Sequence, residues 1–155
     1  FLLYLDCGDN LGLVSGGIHD YQLSASSYES GEGEPWYGRL GDSTKKNWCA
    51  STQDTNQYLQ IDLGPNEHSI MAVATQGAHN YDSWVLTYTM SVSHDGKTWE
   101  DYKEGGSLRT LQIFEGNWDR DTVVTNRLHH NITARYLRFD LYMYYQRPSI
   151  RAEVY

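Results

Sequence analysis

The clearest alternation in the chain runs through Tyr58-Leu-Gln-Ile-Asp-Leu-Gly64, where apolar Leu59, Ile61 and Leu63 take every second position and Gln60 and Asp62 fill the gaps. Successive side chains of a strand point to opposite faces, so this string predicts a strand with one buried face. Ile70-Met-Ala-Val-Ala-Thr-Gln-Gly77 is instead an apolar run closed by a polar, glycine-marked exit, which predicts a buried strand giving way to a loop. From Leu86 the period of two returns: Tyr88, Met90 and Val92 share a face, and Asp95-Gly96 predicts a hairpin turn before Trp99. Leu137, Phe139 and Leu141 repeat the alternation, as do Ile150, Ala152 and Val154. No segment sustains apolar spacing of three and four over the length a helix needs. The pattern predicts an all-β domain, a jelly-roll sandwich or barrel of about eight strands.

Three polar stretches separate these strands. Leu13 to Ser27 reads as a strand running out into a serine-rich end, and Tyr28 to Gly38 follows with three glycines, a proline and three carboxylates, a composition that excludes a central strand or a helix. A second loop is expected over Gly41 to Gln57, around an isolated Trp48-Cys49, and a third from Gln76 to about Val85.

At 155 residues the chain fits one domain, and 13 tyrosines, five tryptophans and 14 glycines with three prolines suit an aromatic-rich, turn-rich β fold. The net charge of −8 sets a field that repels phosphate backbones, which makes nucleic acid a poor partner and disfavours anionic membranes. Lys45-Lys46 is the only adjacent pair of Lys or Arg, and the other cations are scattered among carboxylates. Phe1-Leu-Leu-Tyr-Leu5 is too short for the apolar region of a signal peptide, so residues 1–6 read as an entering segment or linker and 7–155 as the domain. Asn131-Ile-Thr133 is an N-glycosylation sequon, which fits a secreted or cell-surface setting.

Catalytic signatures are lacking: the chain has no Gly-x-Ser-x-Gly elbow, no His-Glu-x-x-His, no phosphate-cradling glycine loop and no Cys-x-x-Cys. His129 and His130 are adjacent, which on a regular strand sends them to opposite faces as surface or edge residues. Glu29, Glu32, Glu34 and Asp42 could offer hard oxygens to calcium, although a charge run in a loop is ordinarily solvated, and no other cofactor is expected. The better constellation is aromatic: Tyr28, Trp36, Tyr37, Trp48, Tyr81 and Trp84 stand in segments too polar to be core. Large amphipathic side chains on loops of a rigid scaffold make binding surfaces, and the competing reading is that they fold back to plug the end of the sandwich. Trp36, Tyr37, Tyr81 and Trp84 remain open between the two.

The strings Leu59-Gln-Ile-Asp-Leu-Gly64, Thr75-Gln-Gly77, Tyr88-Thr-Met-Ser-Val-Ser-His-Asp-Gly-Lys-Thr-Trp99 and Arg135-Tyr-Leu-Arg-Phe139 resemble, in that order, the discoidin family, also called the coagulation-factor type C domain. The resemblance extends to Leu13 to Ser27, Phe114-Glu-Gly-Asn117 and Ile150-Arg-Ala-Glu-Val-Tyr155, and so covers the chain from Cys7 to its end. It implies a discoidin-like sandwich excised from a larger extracellular protein, with ligand loops, or spikes, at one end. It also implies that Trp48 is largely packing, that Tyr28 lines a pocket there, that Asp54 holds a basic ligand group, and that Thr52 and Asn80 lie nearby. Cys7 and Cys49 could pair with each other, but the resemblance implies that Cys7 bonds a cysteine falling beyond Tyr155. Members with a Trp-Cys like Trp48-Cys49 pair that cysteine near the last strand, where this chain has Ser149-Ile150, so the state of Cys49 stays open. Some members hold a structural calcium. The resulting expectation is a non-catalytic adhesion module for a glycan or extracellular protein, including its parent's neighbouring domains; the alternatives are a phosphatidylserine-binding domain and a structural spacer. The anionic first loop, without a Leu, Phe or Met tip, weighs against the bilayer.

Overall fold

The computed structural model describes residues 9–41, 44–106 and 109–155; Cys7, Asp42 and the entering segment 1–6 lie outside them. Twelve strands are described: β1 (Leu23–Ala25), β2 (Trp48–Cys49), β3 (Tyr58–Asp62), β4 (His68–Gln76), β5 (Trp84–Ser93), β6 (Glu100–Asp101), β7 (Lys103–Glu104), β8 (Thr110–Leu111), β9 (Phe114–Glu115), β10 (Val124–Ala134), β11 (Tyr136–Tyr145) and β12 (Ser149–Val154). Five of them are two-residue pieces, which is why the pattern suggested about eight. The only helical segments among the described residues are single 3-10 turns at Asp20–Gln22 and Pro35–Tyr37.

One sheet has the order β1-β3-β11-β5-β6, with β9 also beside β5, a second has the order β10-β4-β12-β2, and β7 and β8 form a separate two-stranded ladder; every pairing between these strands is antiparallel. The inward residues of the two larger sheets meet in a single core. Leu59, Ile61, Tyr88, Met90, Leu137 and Phe139 come from the first sheet, and Ile70, Val73, Ile150, Ala152 and Val154 from the second. Removing each of the larger of these side chains from water contributes about 1.5–3 kcal/mol. The alternating strings therefore mark the core faces as expected. β12 differs: all six of its residues are buried. It lies between β4 and β2, and the chain before β1 covers its outer side, where the Glu153 carboxylate accepts from the amides of Leu13 (3.2 Å), Val14 (2.7 Å) and Val154 (2.9 Å). Three donors satisfy a carboxylate that would otherwise be costly to bury.

Two expectations are corrected. Trp48-Cys49 is not isolated within a loop: it is β2, an edge strand whose Cys49 and Trp48 stand opposite Ser149 and Ile150 of β12. Trp48 is fully buried, its indole N–H donating to the Ser27 carbonyl at 3.0 Å, so it is packing material. His129 and His130 do not diverge, because β10 carries a bulge between Arg127 and Ile132 and the alternation breaks there. His129 Nδ1 lies 3.1 Å from Glu104, while the His130 ring packs 5.1 Å from Tyr102, which itself donates to Glu104 at 2.6 Å.

Candidate functional site

Strand direction gathers five loops at one end. β1, β4 and β11 finish there and β3, β5, β10 and β12 begin there, as the partners Ala25↔Leu59, Val124↔Thr75 and Tyr145↔Trp84 show. The connections 26–47, 50–57, 77–83, 116–123 and 146–148 therefore share a face. Buried Arg151 stitches two of them together, its Nε donating to the Gly77 carbonyl at 2.8 Å and its terminal nitrogen to the Arg120 carbonyl at 2.7 Å. Gly77 permits that closeness: a Cβ there would lie 2.6 Å from the Asp119 carbonyl oxygen. Gln76 adds a bond to the Asp121 carbonyl at 2.7 Å.

The centre of the face is a pair of aromatic rings. Trp84 opens β5, Tyr145 closes β11, and their cross-strand pairing stacks the rings with centroids 4.8 Å apart and planes 17° from parallel. Beside Trp84 is an open cleft of about 380 Å3, lined also by Asp82, Asp119, Arg120, Asp121 and Thr122. Asp82 anchors Arg120 at 2.8 Å. Asp119 accepts from the amides of Asp121 and Thr122 and from the Thr122 hydroxyl, and the Thr122 bonds hold its carboxyl below the usual range. Next to it Trp118 is 71% exposed.

The sequence-predicted residues fall into three groups. Trp84 belongs to the stacked pair just described. Tyr81 lies nearby in the third loop, its hydroxyl accepting from Asn47 Nδ2 at 2.9 Å; burial pushes that phenol above its ordinary pKa. Asn80 ties the same loop to the Lys45 carbonyl at 2.9 Å. Tyr28, Trp36 and Tyr37 form a second cluster, with Trp36 6.5 Å from Tyr28 and 6.0 Å from Tyr37, and Lys46 caps the Tyr37 ring at 4.6 Å. Trp36 packs partly against the core, whereas Tyr28 is exposed. Arg147 joins the clusters by pairing with Glu29 and lying 6.0 Å from the Tyr81 ring. Asp54 and Thr52 serve their own loop: Asp54 Oδ1 accepts from Gln57 Nε2 (2.7 Å) and the Asn56 amide (2.9 Å), bonds that lower its pKa, and the Thr52 amide donates to Ser27.

The carboxylates weighed for calcium are engaged apart from one another. Glu29 pairs with Arg147, Glu32 lies 3.9 Å from Lys46, and buried Glu34 accepts from the Gly31 amide. Among the described residues no three His, Cys, Asp or Glu side chains form a metal-binding group. Cys49 is a buried free thiol, and Asn131 is exposed on β10.

Sequence reasoning missed Trp118, Tyr145 and the 119–122 turn. Trp118 carried the same signal as Trp84, a tryptophan among polar residues directly after the Phe114-Glu-Gly-Asn117 string. Tyr145 was hidden in an aromatic-rich strand.

An antiparallel β-sandwich that presents stacked aromatics and polar side chains on loops at one end is the architecture of a ligand-binding module. The chain belongs to the F5/8 type C domain family, whose model matches residues 22–154. Bovine lactadherin is 32% identical over 157 residues, covering 96% of this chain and 36% of that protein. Human EGF-like repeat and discoidin I-like domain-containing protein 3 is 34% identical over 158 residues, covering 96% of this chain and 32% of that one. The chain thus spans about a third of the length of these relatives. Among solved structures, CpGH89CBM32-5 from Clostridium perfringens, in complex with GalNAc-β-1,3-galactose, superposes with a TM-score of 0.70 at 17% identity, over 95% of this chain and 99% of that one.

Proposed function

We propose that the domain is a non-catalytic extracellular adhesion module that recognises a glycan or protein ligand at its loop end, with Trp84 and Tyr145 as the platform. The stacked pair beside a polar cleft carries this reading. A sugar lays its apolar C–H face on an aromatic ring and turns its hydroxyls toward carboxylates and guanidinium, and Trp84 has Asp82, Arg120, Asp121 and Thr122 at hand. A peptide side chain can use the same ring. The sugar bound to the clostridial module is in keeping with this reading. Asp82, Asp119 and Asp121 around Trp84 oppose approach to an anionic bilayer, which ranks phosphatidylserine below a glycan or protein.

The test is a parallel screen against a glycan array, collagen and phosphatidylserine vesicles, with Trp84→Ala and Trp118→Ala variants. Binding to a glycan or protein that Trp84→Ala abolishes supports the reading. Binding to vesicles alone, lost in Trp118→Ala, overturns it in favour of membrane attachment, and binding to nothing moves the domain to a spacer role.

A further inference from the structure

At the end of β5 remote from the loops, β6 and β10 are edges of different sheets, and a cleft of about 500 Å3 opens between them. That volume falls within the roughly 300–1,000 Å3 of ligand pockets. Val92 and Ile132, partly buried against the core, supply apolar surface. Trp99 is the aromatic wall of the cleft, and Tyr102, only 3% exposed, backs it without offering a ring face. Tyr102 sits between Phe114 at 5.7 Å and His130 at 5.1 Å, and its hydroxyl is committed to Glu104. Trp99 has one ring face covered by the Arg138 guanidinium at 3.7 Å, and that guanidinium is stacked in turn on Tyr58 at 4.0 Å. Neither ring needs to be ordered when something binds, which removes an entropic cost.

Charge decides the ligand class. Glu100 and Asp101 stand on the cleft with Lys103 and Arg109, two anions against two cations, so a ligand of strong net charge gains little there. Apolar floor, aromatic wall and a rim able to donate and accept hydrogen bonds suit a neutral molecule with one greasy face and many hydroxyls. The geometry points to a second ligand site, in which this inter-sheet cleft takes a neutral pyranose of one or two sugar units. It is separate from the loop end: Val92 stands eight positions beyond Trp84 on β5, about 27 Å at the rise of a strand. A domain with sites at both ends can hold two points of one glycan chain or bridge two chains, and gains avidity without further contacts.

The experiment is a two-dimensional NMR titration of the 15N-labelled domain with galactose, N-acetylglucosamine and lactose. Saturable shifts are expected at the Trp99 indole N–H and the Val92 and Tyr102 amides for at least one sugar. The same shifts should persist in Trp84→Ala, which separates this site from the loop end. A Glu100→Ala/Arg109→Ala variant changes only exposed rim residues and should raise Kd by about tenfold or more, the loss of roughly one good polar contact. The inference is overturned if no sugar moves these resonances, if shifts occur only around Trp84 and Tyr145, if the rim variant titrates like the parent, or if charged glucuronate or glucosamine binds more tightly than the neutral sugars.

Discussion

Ser149 stands directly across from Cys49 in the antiparallel pair of β12 and β2. The neighbouring bond, Ala50 N–H to the Pro148 carbonyl at 3.0 Å, makes the Cys49 and Ser149 position a non-hydrogen-bonded pair, where facing side chains approach most closely. Ser149→Cys should therefore form a cross-strand disulfide with Cys49 on oxidation and raise stability by about 2–4 kcal/mol, since the closed loop is long. Mass spectrometry with and without reductant, and melting under the same conditions, checks it. If Cys49 and the introduced thiol both stay titratable under oxidising conditions, the facing geometry is wrong. In the parent protein Cys49 should react with thiol reagents only as the domain unfolds, because it is buried.

The tryptophans should divide sharply. Trp48 is fully buried and hydrogen-bonded, so Trp48→Ala should cost about 3–5 kcal/mol in chemical denaturation. Trp118 is 71% exposed, so Trp118→Ala should stay within about 0.5 kcal/mol of the parent. Similar losses for the two variants would contradict the assignment of one to packing and the other to surface.

That division shows how far the sequence could be read. Leu59, Ile61, Tyr88, Met90, Leu137 and Phe139 were legible as core because each lies on a strand with one wet face, and alternation is the direct trace of such a face. β12 hides its period because both faces are covered, and β2 hides because two residues carry no period at all. The candidate site was legible where an aromatic breaks a polar stretch, as Tyr81 and Trp84 do. The candidate site was illegible where it depends on pairing across the sheet: Tyr145 is 61 positions beyond Trp84 in sequence, and only the register of β11 on β5 stacks them. Asp119 and Asp121 look like solvated charge until the Arg151 bonds place them beside Trp84.

Two aspartates on the first sheet should respond to acid in opposite senses. Asp62 bonds Arg135 twice, at 3.0 and 2.9 Å, and the guanidinium holds its pKa below the ordinary carboxylate value. Its contribution is fully present above the unfolded value of about 3.9 and is lost as pH falls through the lower folded value. Asp140 has its pKa raised by burial, so its ionised form costs stability at neutral pH and the cost disappears as pH falls. Asp140→Asn keeps an acceptor for the Ser91 hydroxyl and should stabilise the domain at pH 7 by a few tenths to about 1 kcal/mol. Arg135→Gln should flatten the acid limb of the stability curve below about pH 4. Urea denaturation between pH 2.5 and pH 7 reads both, and an Asp140→Asn variant less stable than the parent at pH 7 would sink the burial argument.

Gly77 is where the architecture of the loop end can be broken without touching its exposed surface. A methyl group there would press against the Asp119 carbonyl at 2.6 Å, and against Trp84 Cβ at 3.0 Å. Arg151 holds the next carbonyl, that of Arg120, so this stretch of the 116–123 loop must move together and carry Asp119 away from Trp84. Gly77→Ala should cost about 1–3 kcal/mol through overpacking. It should also abolish ligand capture at the loop end while leaving the far cleft at Trp99 unchanged. Gly16→Ala is the control for added side-chain bulk, because nothing lies within 4 Å of a Cβ there; its positive φ of 79° adds local strain but leaves the loop end undisturbed. If Gly77→Ala retained full binding, Asp119, Asp121 and Thr122 would have no part in recognition, and the stacked pair of Trp84 and Tyr145 would have to act alone.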